Sequence, residues 1–372
     1  LIQLNSSKAL SFDHPFFTKR IVNLGFFHKK VGRTCNVSQV QDGDILVSDT
    51  YYSTNELKLI LEKIGLNKKV EIFASNAGKA SGKIWPIIKE KYDIISHFGD
   101  NQTSDIQSPQ QHGIKTQWFN SNYSDLEKTV YQRGHLGLAN LMRTLRLLNP
   151  YPIDSVNYKI WQEQAQFNVP ILIQTSFYLD SFCKNNNKNN LLFTARDCCH
   201  LIKIFSYFFP EYKSTYFYTS RHAFKNASPE FCKYVSSLYN ENSIIVDGLG
   251  TGRSCYNFFT TKLHISPCIV AINGIKANPD INIHFIGYQT EPYIESINLA
   301  NHGKCMDYDA NGLKLFPIEY NAAITEPAYK CIETCLILLN KFEFKGFDNS
   351  LTQHIFSALY QTQPIGMPYL SL

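Results

Sequence analysis

Two aspartates, Asp100 and Asp105, close the segment HFGDNQTSD after a short apolar run. Carboxylates this close together at the end of a strand suit Mg²⁺, a hard cation that takes oxygen ligands and keeps several waters. Phosphoryl transfer uses such a cation on the phosphate oxygens, together with a nucleophile or activated water and donors for the developing charge. Donors lie nearby: Ser48 ends the run DILVSDT with a hydroxyl, and Lys79, just past FASNAG, brings an ammonium. A second set sits in SIIVDGLGTGRSC, where an apolar run leads to Asp247 and then to Gly250-Thr251-Gly252. Glycines let backbone N–H groups approach an anion at a helix N-terminus, and the carboxylate can accept hydroxyl protons of a ribose. Arg196 and Arg221 end two further runs, NLLFTARD and STYFYTSR. They are expected to contact phosphate or pyrophosphate, or else to pair with Asp197 or other acids on a sheet edge.

These residues are held by alternating strands and helices. DILVSDT, KVEIFAS, DIISHFGD and KTQWF read as strands, with NELKLILEKIGL and GKIWPIIKEKY as helices between them. Alternation at this pitch predicts a parallel sheet with helices on its faces, and ligands bind beyond the carboxyl ends of such strands. Ser48, Ser75 and Asp100 fall at those ends. Ser124-Asp125-Leu126-Glu127 is a capping box that opens a helix expected to run to about Leu148, where Asn149-Pro150 stops it. A second helical stretch covers about Pro170 to Cys183, and CKNNNKNN reads as a surface loop. Strand–helix alternation then resumes through NLLFTARD, STYFYTSR, SIIVDGLGTG, PCIVAING and NIHFIGYQ, and YKCIETCLILLNKF is a late amphipathic helix. Further on, Glu295, Asn298, His302 and Glu319 are polar candidates without a motif. The expected class is α/β, with two Rossmann-like parallel-sheet domains over 1–122 and 191–372 joined by a helical connector over 123–190.

Composition sets limits. With 372 residues, 44% of them hydrophobic and 18% charged, the chain can build two cores. A net charge of +5 without any basic run argues against a nucleic-acid partner. No apolar run reaches the roughly 18 residues of a membrane span, and LIQLNSSKALSF lacks the charged start and apolar stretch of a signal peptide. Ten cysteines without CxxC or zinc spacing read as reduced, buried thiols of a cytoplasmic protein, the Cys198-Cys199-His200 triplet included.

LVSDTYYS, FASNAGKASGKIW and HFGDNQTSD, in this order, resemble motifs II, III and IV of haloacid dehalogenase (HAD) superfamily proteins found with surface-polysaccharide genes. The resemblance implies Ser48 as phosphate donor, Lys79 as the motif lysine, and Asp100 with Asp105 as Mg²⁺ ligands. Ser11-Phe12-Asp13 resembles the start of motif I and makes Asp13 the nucleophile, with Asp49 as a rival. His14, Pro15 and Phe16 depart from the family pattern where a second acid belongs. NLLFTARD and STYFYTSR are similar to the second half of the same proteins, with Cys198 in place of the usual Gly. VDGLGTG resembles the phosphoribosyl-pyrophosphate (PRPP) loop of phosphoribosyltransferases, although Gly248 stands where a second acid is usual and the loop is a residue short.

The resemblance implies a Mg²⁺-dependent phosphohydrolase acting on a phosphosugar or nucleotide in surface-polysaccharide synthesis. The alternatives are a PRPP-dependent ribosyl or glycosyl transferase in the second domain, with the first as phosphatase or decayed scaffold, and a non-catalytic protein that binds a phosphorylated ligand or a glycosyltransferase partner.

Overall fold

A computed structural model describes residues 18–22, 40–63, 66–118, 122–153, 155–275, 281–288, 293–318 and 322–362. It is a mixed α/β structure with parallel sheets, divided into two compact units, Leu1–Asn122 and Tyr123–Leu372.

The first unit contains β1 (Thr18–Val22), β2 (Ile45–Asp49), α1 (Thr54–Lys63), β3 (Glu71–Ser75), α2 (Ile84–Lys91), β4 (Asp93–Gly99), α3 (Ser108–Gln111) and β5 (Thr116–Trp118). Its five strands are parallel in the order β3-β2-β1-β4-β5. Ile45, Leu46 and Val47 are all buried, as expected of a strand covered on both faces. Ile45 and Val47 pack on Ile84, Trp85 and Ile88 of α2 and on Ile114. Ser53 and Glu56 form a reciprocal capping box that starts α1. Strand order reverses at β1, whose neighbours are β2 and β4, and in open sheets of this kind ligands bind beyond the carboxyl ends of the strands at such a reversal.

The second unit opens with α4 (Asp125–Gln132), α5 (Leu136–Leu147), α6 (Val156–Glu163) and α7 (Val169–Asn185), the last two joined by a π-turn at Gln164–Asn168. Then come β6 (Asn190–Thr194), α8 (Leu201–Phe208), β7 (Lys213–Phe217), α9 (Arg221–Lys225), α10 (Pro229–Leu238), β8 (Ser243–Gly250), α11 (Arg253–Phe258), β9 (Ile269–Gly274) and β10 (Ile283–Gly287). The unit ends with α12 (Tyr293–Ile297), the hairpin β11 (Cys305–Asp309) and β12 (Gly312–Leu315), α13 (Glu326–Leu338) and α14 (Asn349–Tyr360). The main sheet is parallel in the order β10-β9-β8-β6-β7, reversing between β6 and β8.

Successive side chains of these strands serve opposite faces. Leu191, Phe193, Ile244 and Val246 meet α5 and α7, while Leu192 and Ile245 meet Phe231 and Val235 of α10. The helices expected as a connector therefore belong to the second unit, because their apolar faces bury against its sheet. Each fully buried Leu, Ile or Phe contributes about 1.5–3 kcal/mol.

Three further departures from the sequence reading have local causes. The helix expected to run unbroken to Leu148 is two helices, because Gly134 adopts φ 82° after α4 and ends it. The glycine-rich segment after Asp247 is not yet a loop: β8 continues to Gly250, which pairs with Gly274 of β9. A Cβ on Gly274 would lie 2.1 Å from the Gly250 carbonyl oxygen, so only glycine permits this approach. The β11–β12 hairpin was not anticipated. Among the described residues no helix is long and apolar enough to cross a membrane.

Candidate functional site

Both sheets carry polar side chains at their carboxyl ends, with different degrees of internal pairing. In the first unit Asp49 ends β2 opposite Ser75. Its Oδ1 accepts Ser75 Oγ at 2.5 Å and the Lys79 N–H at 2.9 Å, and its Oδ2 accepts the Ala80 N–H at 3.0 Å. The carboxylate thus clamps the turn after β3, which supplies a structural role for the rival nucleophile. Ser48, one position earlier, is partly exposed at the same strand end.

Lys79 is buried, with Nζ 2.6 Å from Oδ1 of the fully buried Asp105. The same oxygen meets His97 Nε2 at 2.9 Å, and Oδ2 accepts the Asn101 N–H at 2.9 Å. Gly99 makes room for this group, since a Cβ there would lie 2.4 Å from Asp105 Cγ. Burial pushes the Asp105 carboxyl up, but the His97 hydrogen bond and the Lys79 ammonium outweigh it and hold it well below the ordinary carboxylate range. Burial pushes His97 below 6.5 against the pull of Asp105. The neutral ring then donates Nε2–H to Asp105, leaving Nδ1 without a partner among the described residues.

These contacts bear on the expected Mg²⁺ ligands. Asp105 is enclosed, and both its oxygens already hold protein donors, so it does not fit as a ligand beside Asp100. Asp100 is partly exposed at the end of β4, and its carbonyl accepts Trp118 Nε1 at 3.4 Å. Among the described residues no group of three His, Cys, Asp or Glu is arranged to hold a metal ion. Asp105 instead positions Lys79. The expected nucleophile Asp13 and its neighbour His14 lie outside the described residues, and the first described strand starts beyond them at Thr18. Between the end of that central strand and Gln41 the sequence holds no Asp or Glu.

The second unit differs. At its switch point, β6 ends at Thr194 and β8 brings Asp247 alongside it. Asp247 is not the last residue of its strand, contrary to the sequence reading. Its Oδ1 accepts Thr194 Oγ1 at 2.9 Å and the Gly248 N–H at 3.0 Å. Asp197 follows in the turn after β6, packed on Gly248, where a Cβ would lie 2.3 Å from Asp197 Cβ. The glycine that breaks the two-acid pattern in sequence thereby admits a second carboxylate from the turn after β6.

Glu295 arrives from α12. The end of that helix is pinned to the π-turn, where Gln164 Nε2 donates to the Ile297 carbonyl at 2.7 Å and Asn168 and Asn298 exchange amide hydrogen bonds at 3.0 Å. Arg196 follows β6, and Arg221 starts α9, which Ser220 caps through the Ala223 N–H.

The five charges feel one another. Burial, then the charges of Glu295 and Asp247, push the Asp197 carboxyl well above its ordinary value, against the pull of Arg196 and Arg221. Burial also raises Asp247, and burial with the Asp247 charge raises Glu295. Yet among the described residues neither arginine comes within ion-pair distance of any of the three acids, so the expected alternative of pairing with Asp197 is not what forms.

The remaining predicted loop residues have packing roles. Gly252 adopts φ 67°, and a Cβ on it would lie 2.8 Å from Ile283 Cδ1, against the apolar core. Gly250 serves the β8–β9 approach, and Thr251 Oγ1 accepts the Arg253 N–H at 3.4 Å. Cys198 and Cys199 are buried, with the Cys199 thiol pushed up to about 12 by burial. That is the reverse of what a nucleophilic thiol needs.

Sequence reasoning assigned no role to Asp197 beyond a possible pair, and none to Glu295. The first had its signal in Gly248, whose missing side chain leaves space. The second had none, because its placement depends on contacts with Gln164 and Asn168. No family model matches the chain, and no curated protein matches it.

Proposed function

We propose that the chain binds a diphosphorylated sugar of the PRPP kind at the carboxyl edge of its second sheet and transfers the sugar to an acceptor. One observation carries this reading: three carboxylates and two arginines converge on a switch point without pairing with one another. Partly buried charges left uncompensated are costly, and they concentrate where a ligand completes them. Arg196 and Arg221 suit the phosphate oxygens, and Asp247, fixed by Thr194, suits the sugar hydroxyls. In the transfer, the anomeric carbon–oxygen bond breaks and pyrophosphate leaves with its electron pair. An acceptor hydroxyl forms the new bond and yields its proton to a carboxylate whose affinity for protons is raised, Asp197 or Glu295.

Strand orders that reverse once, at β1 and between β6 and β8, support reading both units as Rossmann-like, HAD-like first and phosphoribosyltransferase-like second. Surface-polysaccharide synthesis in the cytoplasm is the setting that goes with this reading. The alternative, a phosphohydrolase centred on the first unit, draws support from the Lys79–Asp105 pair at the end of its sheet.

Calorimetric titration with PRPP in the presence of Mg²⁺ tests the proposal. The wild-type chain is expected to bind, and Arg221→Ala to weaken binding about 10- to 100-fold, the range for a lost charge-assisted hydrogen bond. Absence of binding overturns the transferase reading. Release of inorganic phosphate that disappears in Asp13→Asn would transfer the activity to the first unit.

A further inference from the structure

Arg196 has a left-handed backbone, φ 73°, which is costly for a residue with a Cβ and needs support from its surroundings. The strand ladder does not reach its amide. Ala195 still donates to Phe217 across the β6–β7 pair, whereas the Arg196 N–H turns to the Tyr216 hydroxyl at 2.7 Å. That hydroxyl in turn lies 2.8 Å from His302 Nε2.

The direction of this chain follows from its far end. His302 Nδ1 is 2.9 Å from the Gly303 carbonyl, which can only accept, so Nδ1 carries the proton. With the proton on Nδ1, Nε2 accepts the Tyr216 O–H, whose oxygen accepts the Arg196 N–H. Burial pushes the Tyr216 phenol above its ordinary value, which keeps it a donor. The rings are held as well, with His302 edge-on to Tyr216 at 5.7 Å and tilted against Tyr218 at 5.5 Å. At the near end, the Arg196 guanidinium has no hydrogen-bond or ion-pair partner among the described residues, although it acts on Asp197 and Glu295 through its charge.

We propose that Tyr216 and His302 are positioning residues for Arg196: the Gly303–His302–Tyr216 relay fixes its backbone amide and thereby aims its guanidinium at the anionic end of the ligand. This rests on the assignment of Arg196 to ligand binding made above. His302, a lone histidine without a motif, then acts two hydrogen bonds away from Arg196.

The test is calorimetric titration of the full chain with inorganic pyrophosphate, in wild type, Tyr216→Phe, His302→Gln, Arg196→Ala and Tyr216→Phe with Arg196→Ala. Tyr216→Phe keeps the ring and removes the hydroxyl, and is expected to weaken binding about 10-fold. His302→Gln, whose amide can both accept from Tyr216 and donate to Gly303, is expected to bind within about 3-fold of wild type. In the Arg196→Ala background the loss of the hydroxyl should have no further effect, because the two residues act as one unit. A general structural role for Tyr216 would instead weaken binding equally in both backgrounds, and that result overturns the proposal. So does undiminished binding by Tyr216→Phe. If wild type itself fails to bind pyrophosphate, the ligand-site reading is what has failed, and this inference falls with it.

Discussion

Asp105→Ala is expected to destabilise the first unit by about 3–5 kcal/mol, the cost of leaving a buried charge without its partner. Lys79 and Asp105 are almost wholly enclosed, with side-chain exposures of 4% and 0%, so the ammonium has no route to water when the carboxylate is removed. The substitution also strips the acceptor from His97 and from the Asn101 amide. Urea unfolding of the full chain in a Trp118→Phe, Trp161→Phe background, where Trp85 is the one tryptophan left of three, reads the effect locally by its fluorescence. That indole donates to Ser108, whose hydroxyl in turn donates to the Lys79 carbonyl. Replacing both charges together, Lys79→Met with Asp105→Leu, should recover the part of the loss due to the stranded ammonium, since an apolar pair of similar volume often replaces a buried ion pair without penalty, while the His97 and Asn101 donors stay without their acceptor. A cost below about 1 kcal/mol for Asp105→Ala would show that Lys79 finds another partner and that Asp105 is not what holds it.

Acid should destabilise the second unit through His200. Both ring nitrogens of this residue are buried without a partner among the described residues, and the ring packs edge-on to Tyr329 at 4.7 Å. Burial, with a smaller push from Lys203, lowers its pKa from 6.5 to about 3. The folded value lies below the unfolded one, so the unfolded chain binds the extra proton first. The contribution is complete above pH 6.5 and is lost as the pH falls toward 3, amounting to about 2 kcal/mol at pH 5. Asp197, Asp247 and Glu295 act in the opposite sense, because their raised values favour the folded state as they protonate. Comparing wild type with His200→Phe removes that background. Between pH 7.5 and pH 5 the variant should gain about 2 kcal/mol on wild type in urea unfolding. Parallel stability curves for the two proteins would contradict a neutral, buried His200.

Much of the fold was legible because strand and helix periods are local properties. ILVSD, EIFAS and DIISHFG are strands where alternation predicts them, and the Ser124–Glu127 capping box forms as the motif reads. What escaped depends on contacts between distant segments. Gly134 looks like a tolerable helix glycine until its φ is seen to end α4. The glycines after Asp247 have the composition of a loop, but Gly250 and Gly274 allow two strands to run closer together.

The candidate site follows the same division. The motifs name Asp100, Lys79 and Asp105 as candidates, yet motif spacing does not reveal that Asp105 is paired with Lys79 and His97. Arg196, Arg221 and Asp247 are expected at strand ends, whereas Arg196 lies in the turn after β6, Arg221 opens α9 and Asp247 sits three residues before the end of β8. That Asp197 fills the space beside Gly248, and that α12 delivers Glu295, are consequences of packing. His302 is visible as a residue but not as part of a relay, since its role runs through a tyrosine on β7, distant in sequence.

The most direct test of the central claim is a crystal structure of the chain soaked with PRPP and Mg²⁺. Density for the diphosphate between the Arg196 and Arg221 guanidinium groups, with the sugar hydroxyls on Asp247, is the expected result. An empty edge with Arg221 closed onto Asp197 or Glu295 as an ion pair would contradict it, because the charges would then complete one another without a ligand.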